Sequence, residues 1–335
     1  MLKSLLKYYL LTICLIFFPG LLFAQNQTAL PTMPRVDVHA HVGGIERMAE
    51  YMEVRKVLKE QFNVDLAIWI NLAAPLGPRG QNVDFLKEVQ EKYQNRFLST
   101  INDMRIADGL RFSPEELSEW QQRGIVGYKI WVGVSPAVDN PANDPTFTKM
   151  EQIGMIGASI HISQPYPTKW CEDPVKFWQA QNAWERVLDR HPKLVVVQAH
   201  MLDHFNSDEQ LDYLRYVLET YPNVNVDLAA RFQQFHRMKT ENLRNFLIKY
   251  SDRIVFGTDI SNITKGDYKG IAERYNKCFQ MLETDKIVPG GFFGTTNTQG
   301  VSLPMDVLEK IYYKNAMRLY PRVKDTLIKL GYKVD

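Results

Sequence analysis

Cysteine is scarce in this chain, with 3 in 335 residues, so no disulfide framework holds it and a packed core must do so. Charge of one sign is scarce as well. The 40 basic and 38 acidic residues leave a net charge of +2, which sets up no strong field for nucleic acid or an anionic surface. Low-complexity tracts and internal repeats are missing, and one soluble, enzyme-sized domain is the reading that remains. Long apolar runs are missing everywhere except at the start. There, Lys3 and Lys7 precede an apolar run from Tyr8 to Phe23 that closes with Leu22-Phe23-Ala24. A basic start, a short apolar core and a small residue at the boundary are the parts of a secretory signal, predicted to be cleaved after Ala24. An uncleaved membrane anchor is the alternative, because the run lies near the lower limit for a span. Cleavage implies an exported chain, periplasmic or secreted, with residues 25–34 as a short linker and residues 35–335 as a single domain. It also removes Cys14, leaving Cys171 and Cys278, which read as two buried thiols unless the fold brings them together.

What is present is a strand-like run, Val36-Asp37-Val38-His39-Ala40-His41, that carries two imidazoles two residues apart. Residues i and i+2 of a strand share a face, so both rings are able to grip one ion. Alone this is a weak signal. Further strand-like runs, however, also end on metal-competent or ionisable residues: Lys129, His161, His200 and Asp259. Between them lie segments with helical apolar spacing, such as Val175–Leu188, Glu209–Leu218 and Leu243–Tyr250. Alternating strands and helices predict an α/β fold with parallel strands. The strands expected are Val36–His39, Leu66–Leu72, Phe97–Asp103, Gly127–Gly133, Ser159–Ser163, Leu194–His200, Asn223–Ala229 and Ile254–Asp259. That set predicts a (β/α)8 TIM barrel, in which all strand ends meet at one mouth.

With these pieces in place the chain resembles the amidohydrolase superfamily, and within it amidohydrolase family 2, whose members include decarboxylases of the aminocarboxymuconate-semialdehyde type. The resemblance rests on Asp37-Val38-His39-Ala40-His41, Gly127-Tyr128-Lys129-Ile130-Trp131, His161, Gln198-Ala199-His200-Met201, Val224-Asn225-Val226-Asp227, Phe256-Gly257-Thr258-Asp259 and the tail Ile311–Leu319. It implies that His39, His41, His161 and Asp259 bind a metal, that Asp259 accepts a proton from attacking water, and that His200 faces the substrate. Some relatives carbamylate a lysine on the fourth strand to bridge two metals, which would give Lys129 that role; otherwise its ammonium is available to a substrate anion. One departure is Gln164, in His161-Ile162-Ser163-Gln164-Pro165, where many relatives carry an acidic residue.

Three nitrogens and a carboxylate suit a borderline cation such as Zn²⁺, with Mn²⁺ the alternative, and such an ion brings the pKa of bound water to about 7. Asp227 and Arg231 leave the seventh strand toward the same mouth, either as a substrate clamp or as an ion pair that fixes the loop. Trp69, Asn71 and Trp131 line the pocket or pack, His204 and His236 fall in mouth loops, and His191 reads as an exposed turn residue. Two insertions, Ser135–Glu151 and Val288–Leu303, read as loops able to cap the mouth. The function expected is an exported metal-dependent hydrolase of a small lactone, ester or amide. Decarboxylation or hydration of a small carboxylic acid is the alternative, and an inactive secreted binding protein is the alternative of another class. The partner expected is a small-molecule substrate, with self-association left open.

Overall fold

The computed structural model describes residues 33–104, 109–131, 138–162, 174–261, 263 and 265–334. Thr32–Asp335 form one compact unit. The first two strands, β1 (Arg35–Ala40) and β2 (Leu66–Asn71), are buried at every position. Burial on both faces is what a strand lying between a filled barrel interior and a helical coat requires, and it accounts for Leu-Ala-Ile-Trp-Ile runs in place of polar alternation. The remaining staves are β3 (Phe97–Ser99), β4 (Ile101–Met104), β5 (Tyr128–Trp131), β6 (Gly157–His161), β7 (Val196–Gln198), β8 (Val224–Asp227) and β9 (Ile254–Val255). All pair in parallel, in one ladder β1-β2-β3 and a second running from β4 to β9 in sequence order.

Two seams join these ladders into a closed barrel. At Thr100 the third stave is only interrupted: Thr100 N donates to Asn71 O at 3.2 Å, and Val126 N donates to Ser99 O at 2.9 Å, so β3 and β4 form a single stave. At the other seam Val38 N donates to Phe256 O at 3.0 Å, Asp259 N donates to His39 O at 2.8 Å, and Ala40 bridges Ile260 in parallel. The chain after β9 therefore lies against β1, and the fold is a (β/α)8 TIM barrel. Outside it lie α1 (Ile45–Phe62), α2 (Asp84–Tyr93), α3 (Pro114–Gln122), α4 (Asp144–Ile153), α5 (Pro174–Arg190), α6 (Asp208–Thr220), α7 (Thr240–Lys249) and α8 (Tyr268–Glu283). Each turns an apolar stripe inward; α1 buries Met48, Tyr51, Val54 and Leu58 at helical spacing.

Four expectations change, the first being that the stave expected over Ile254–Asp259 is strand only at Ile254–Val255. Much of the segment Ser135–Glu151 is helix and not loop, because Asn140 Oδ1 accepts from Ala142 N at 3.0 Å and Pro145 sits in the first turn of α4, where a missing N–H costs no hydrogen bond. The stave expected over Leu194–His200 stops at Gln198, because the chain takes positive φ from His200 onward. His191 is buried, not exposed, with Nδ1 and Nε2 each 3.3 Å from a carboxylate, those of Glu151 and Asp144. Cys278 is a free buried thiol in α8, whereas Cys171, Gln164 and the N-terminal signal lie outside the described residues. Among the described residues no helix is long and apolar enough to cross a membrane. The Val288–Leu303 excursion opens within a two-stranded hairpin, β10 (Ile287–Val288) with β11 (Thr298–Gln299).

Candidate metal centre

Because β1 alternates, Asp37, His39 and His41 share its inward face and step toward the mouth. His39 is sealed inside, and the side chains of His41 and Asp259 are 18% and 32% exposed, so the three lead from the barrel interior to solvent. His39 Nε2 lies 3.3 Å from His41 Nε2 and 3.4 Å from Asp259 Oδ1, and His41 Nε2 lies 3.1 Å from the same oxygen. Donors about 2.1 Å from one ion stand roughly 3.0–3.4 Å apart in octahedral or tetrahedral arrangement, so the triangle has the size a divalent ion needs.

For His39 and Asp259 the protonation state also suits a ligand. His39 Nδ1 lies 2.8 Å from Asp227 Oδ2, an acceptor, so Nδ1 carries the hydrogen and Nε2 keeps its lone pair. Burial, with the Lys129 ammonium nearby, holds the His39 imidazole well below its usual range and therefore neutral. Burial pushes Asp227 up, to about 6, leaving it ionised at neutral pH. For Asp259 burial acts upward too, but the contact with His41 and the neighbouring imidazoles outweigh it and hold the carboxylate well below its usual range.

Asp227 has no free oxygen for a ligand. Its Oδ1 accepts from His200 N at 2.8 Å and from Ala229 N at 3.1 Å, and its Oδ2 serves His39. His39, His200 and Asp227 also come within one metal-sized cluster, yet His39 Nδ1 and both Asp227 oxygens are already hydrogen-bonded. His200 Nδ1 faces the carbonyl of Ala229 at 2.9 Å, so this ring too keeps its lone pair on Nε2, and burial lowers its pKa to about 3. His161 stands beyond it: its ring is 4.8 Å from that of His200 and 5.2 Å from that of Trp131. Among the described residues His161 is not one of the three clustered donors, and its buried Nδ1 has no hydrogen-bond partner there.

Lys129 enters from β5, with Nζ 3.4 Å from His39 Nε2 and 3.1 Å from Ser159 Oγ, and burial lowers it to about 8. Arg231 is buried and gives Nη2 to Asp203 Oδ1 at 2.7 Å, while its Nε and Nη1 find no partner among the described residues. Trp69 is packing: it is fully buried and donates to Tyr275 OH at 3.1 Å. Asn71 pins Gly43 by two bonds, of 3.0 and 2.9 Å. His204 is buried among aromatic rings and His236 is exposed.

Residue-type reasoning passed over Asp37, Thr258 and Tyr275. Asp37 Oδ1 accepts from His39 N at 3.0 Å and Thr258 N at 3.2 Å, and Oδ2 accepts from Thr258 Oγ1 at 2.6 Å and Tyr275 OH at 2.7 Å. This carboxylate ties the strand that carries His39 to the residue before Asp259 and so sets the distance between two of the donors. Its only local signal is its place two residues before His39 on the same strand face. Gly257 completes the seam, because a Cβ there would meet His39 Cβ at 2.9 Å.

A parallel barrel with ion-competent donors at the C-terminal ends of its staves defines a metal-dependent TIM-barrel enzyme. The chain belongs to the amidohydrolase family, whose model matches residues 36–322. Solved structures with the same fold include a dihydroxybenzoic acid decarboxylase from Polaromonas sp. JS666 with bound manganese and 2-nitroresorcinol, 14% identical, TM-score 0.51, covering 85% of this chain and 96% of that one. A putative amidohydrolase from Staphylococcus aureus is 13% identical, TM-score 0.50, covering 86% and 99%. At these identities the likeness shows the fold alone. No curated protein matches the chain.

Proposed function

We propose that the chain is a decarboxylase of a small hydroxy-substituted carboxylic acid, dependent on one divalent ion held by His39, His41 and Asp259. The observation that carries this reading is the convergence of His39 Nε2, His41 Nε2 and Asp259 Oδ1 at mutual distances of 3.1 to 3.4 Å. His161, whose ring adjoins that of His200, is the further ligand in this proposal. A bound divalent ion would supply positive charge against an anionic substrate and the charge that builds on it. Around it the protein's own groups divide the work. Asp227 orients His39, Asp259 stays ionised, and His200 presents a neutral Nε2 acceptor.

That acceptor supports decarboxylation over the hydrolysis expected from the family resemblance. Hydrolysis builds an oxyanion, which calls for hydrogen-bond donors, whereas His200 Nε2 is suited to receive the hydrogen of a substrate hydroxyl. Decarboxylation takes up one proton, breaks one C–C bond and releases carbon dioxide. The manganese-bound decarboxylase that shares the fold agrees with this reading. Hydrolysis of a lactone, ester or amide is the second reading, favoured by Asp259, whose side chain is ionised and 32% exposed where water enters.

Zinc is the proposed ion and manganese the alternative, with a carbamylated Lys129 bridging two ions as the variant of the scheme. To separate the reactions, zinc- and manganese-loaded protein is incubated with hydroxybenzoates and, in parallel, with lactones and esters. Carbon dioxide release that is lost in Asp259→Asn supports the proposal; acid formation from the second panel without carbon dioxide release overturns it in favour of hydrolysis. We also propose export with cleavage after Ala24, which N-terminal sequencing of the mature protein tests.

A further inference from the structure

We propose that the buried Asp203–Arg231 pair is the clamp that keeps the His200 imidazole in its working orientation, which makes Asp203 a positioning residue. This rests on the reading of His200 as the group that faces the substrate, but it concerns the ring's own geometry and is tested there.

The ground for it is a stretch of unfavourable backbone. His200, Met201, Leu202 and Asp203 have φ of 59°, 53°, 57° and 58°, four consecutive left-handed residues with no glycine among them. Left-handed backbone crowds Cβ against the following carbonyl, so L residues other than glycine visit it singly and not in runs. Such a turn persists only where its surroundings over-determine it, and here both of its ends are tied to one neighbouring loop. At its start His200 N donates to Asp227 Oδ1 at 2.8 Å and the ring Nδ1 donates to Ala229 O at 2.9 Å. At its end Asp203 Oδ1 accepts from Arg231 Nη2 at 2.7 Å. Asp227, Ala229 and Arg231 all belong to the end of β8 and the loop that follows it.

The second tie is the vulnerable one. Arg231 Nε and Nη1 are buried without partners, so among the described residues Asp203 is the carboxylate that holds the guanidinium. Once the pair is released, the far end of the turn loses its tie to the loop after β8 and is left with the longer bonds from Gln181 Nε2 to Leu202 O at 3.3 Å and from Asn206 Nδ2 to Asp203 O at 3.5 Å. The backbone relaxes from the left-handed region, and the His200 ring leaves Ala229 O. Its proton is then free to move to Nε2, which turns the acceptor presented to the site into a donor.

The test reads this directly on zinc-loaded protein labelled with ¹⁵N-histidine, with the His200 signals assigned by their loss in His200→Gln. Wild type is expected to show one tautomer, protonated at Nδ1. Because Asp203→Asn alone leaves a buried cation unpaired and destabilises the fold, the informative variant pairs Asp203→Asn with Arg231→Met, which removes both charges. It is expected to keep a wild-type circular dichroism spectrum while His200 exchanges between tautomers. Arg231→Lys, which keeps the charge but loses reach, is expected to give a mixed population, and Asp203→Glu to return the Nδ1–H signal. A single unchanged Nδ1–H tautomer in both the double variant and Arg231→Lys would overturn the proposal, since the turn would then orient His200 unaided. The result does not depend on which reaction the site performs, so it fails or stands apart from the decarboxylase reading.

Discussion

Asp227 shows how one side chain governs a site without touching a ligand. Its two oxygens set the His39 tautomer and hold the backbone of His200 and Ala229. Asp227→Asn keeps the shape but gives His39 Nδ1 a weaker partner, and loss of such an orienting partner typically costs 10–100-fold in metal affinity. Competition titration with a zinc indicator is expected to show a loss in that range; unchanged affinity would mean that His39 needs no orienting partner. His204 gives a pH prediction. Burial among aromatic rings lowers its pKa to about 3, below the roughly 6.5 of an unfolded histidine. The unfolded chain therefore binds the extra proton between those values, and stability is lost as pH falls from about 6.5 toward 3. At pH 5 this amounts to about 2 kcal/mol relative to pH 8. In urea melts His204→Leu is expected to gain that much on wild type between pH 8 and pH 5; a pH-independent difference would contradict the assignment. His39, His41 and Asp259 were legible as candidates because the H-x-H spacing and Gly-Thr-Asp are local. The pairing of His191 was not, since its carboxylates lie 40 and 47 residues earlier.

The seam between β1 and the run after β9 is the element on which the donor triangle depends. Asp37 accepts hydrogen bonds from both sides of it, with burial pushing its carboxyl up to about 7. Asp37→Ala leaves the buried donors of Thr258 and Tyr275 unpaired, a cost of about 3 kcal/mol. Denaturant unfolding of the metal-free chain is expected to show this loss, and a change under about 0.5 kcal/mol, the scale of an ordinary surface substitution, would contradict the clamp. Sequence periodicity exposed eight staves and three helices of the coat, α5, α6 and α7, because burial and pleat leave a local record. It did not expose α4, because prolines that read as loop formers sit at a helix start, where they are tolerated. Nor did it expose the left-handed turn at 200–203, which carries no glycine to announce it and is held by partners more than twenty residues away.

Across the whole molecule, an ion held as proposed would tie the first stave to the last, since His39 and His41 come from β1 and its edge and Asp259 follows β9. Such a ligand binds the closed barrel and not the unfolded chain, so zinc at 100 times its dissociation constant is expected to add about 2.7 kcal/mol. Thermal melts with and without zinc check this, and Asp259→Asn is expected to abolish the gain. The expected (β/α)8 barrel carries all eight stave-to-stave pairings, the closing one included, but the register at which β1 meets the run 256–260 is encoded in no local pattern. The most direct test of the centre as a whole is metal content per chain, measured by mass spectrometry after zinc reconstitution and desalting, for wild type and His39→Ala. The expected result is one equivalent in wild type and close to none in the variant; two equivalents, or equal content in both, would contradict a single ion held by His39, His41 and Asp259.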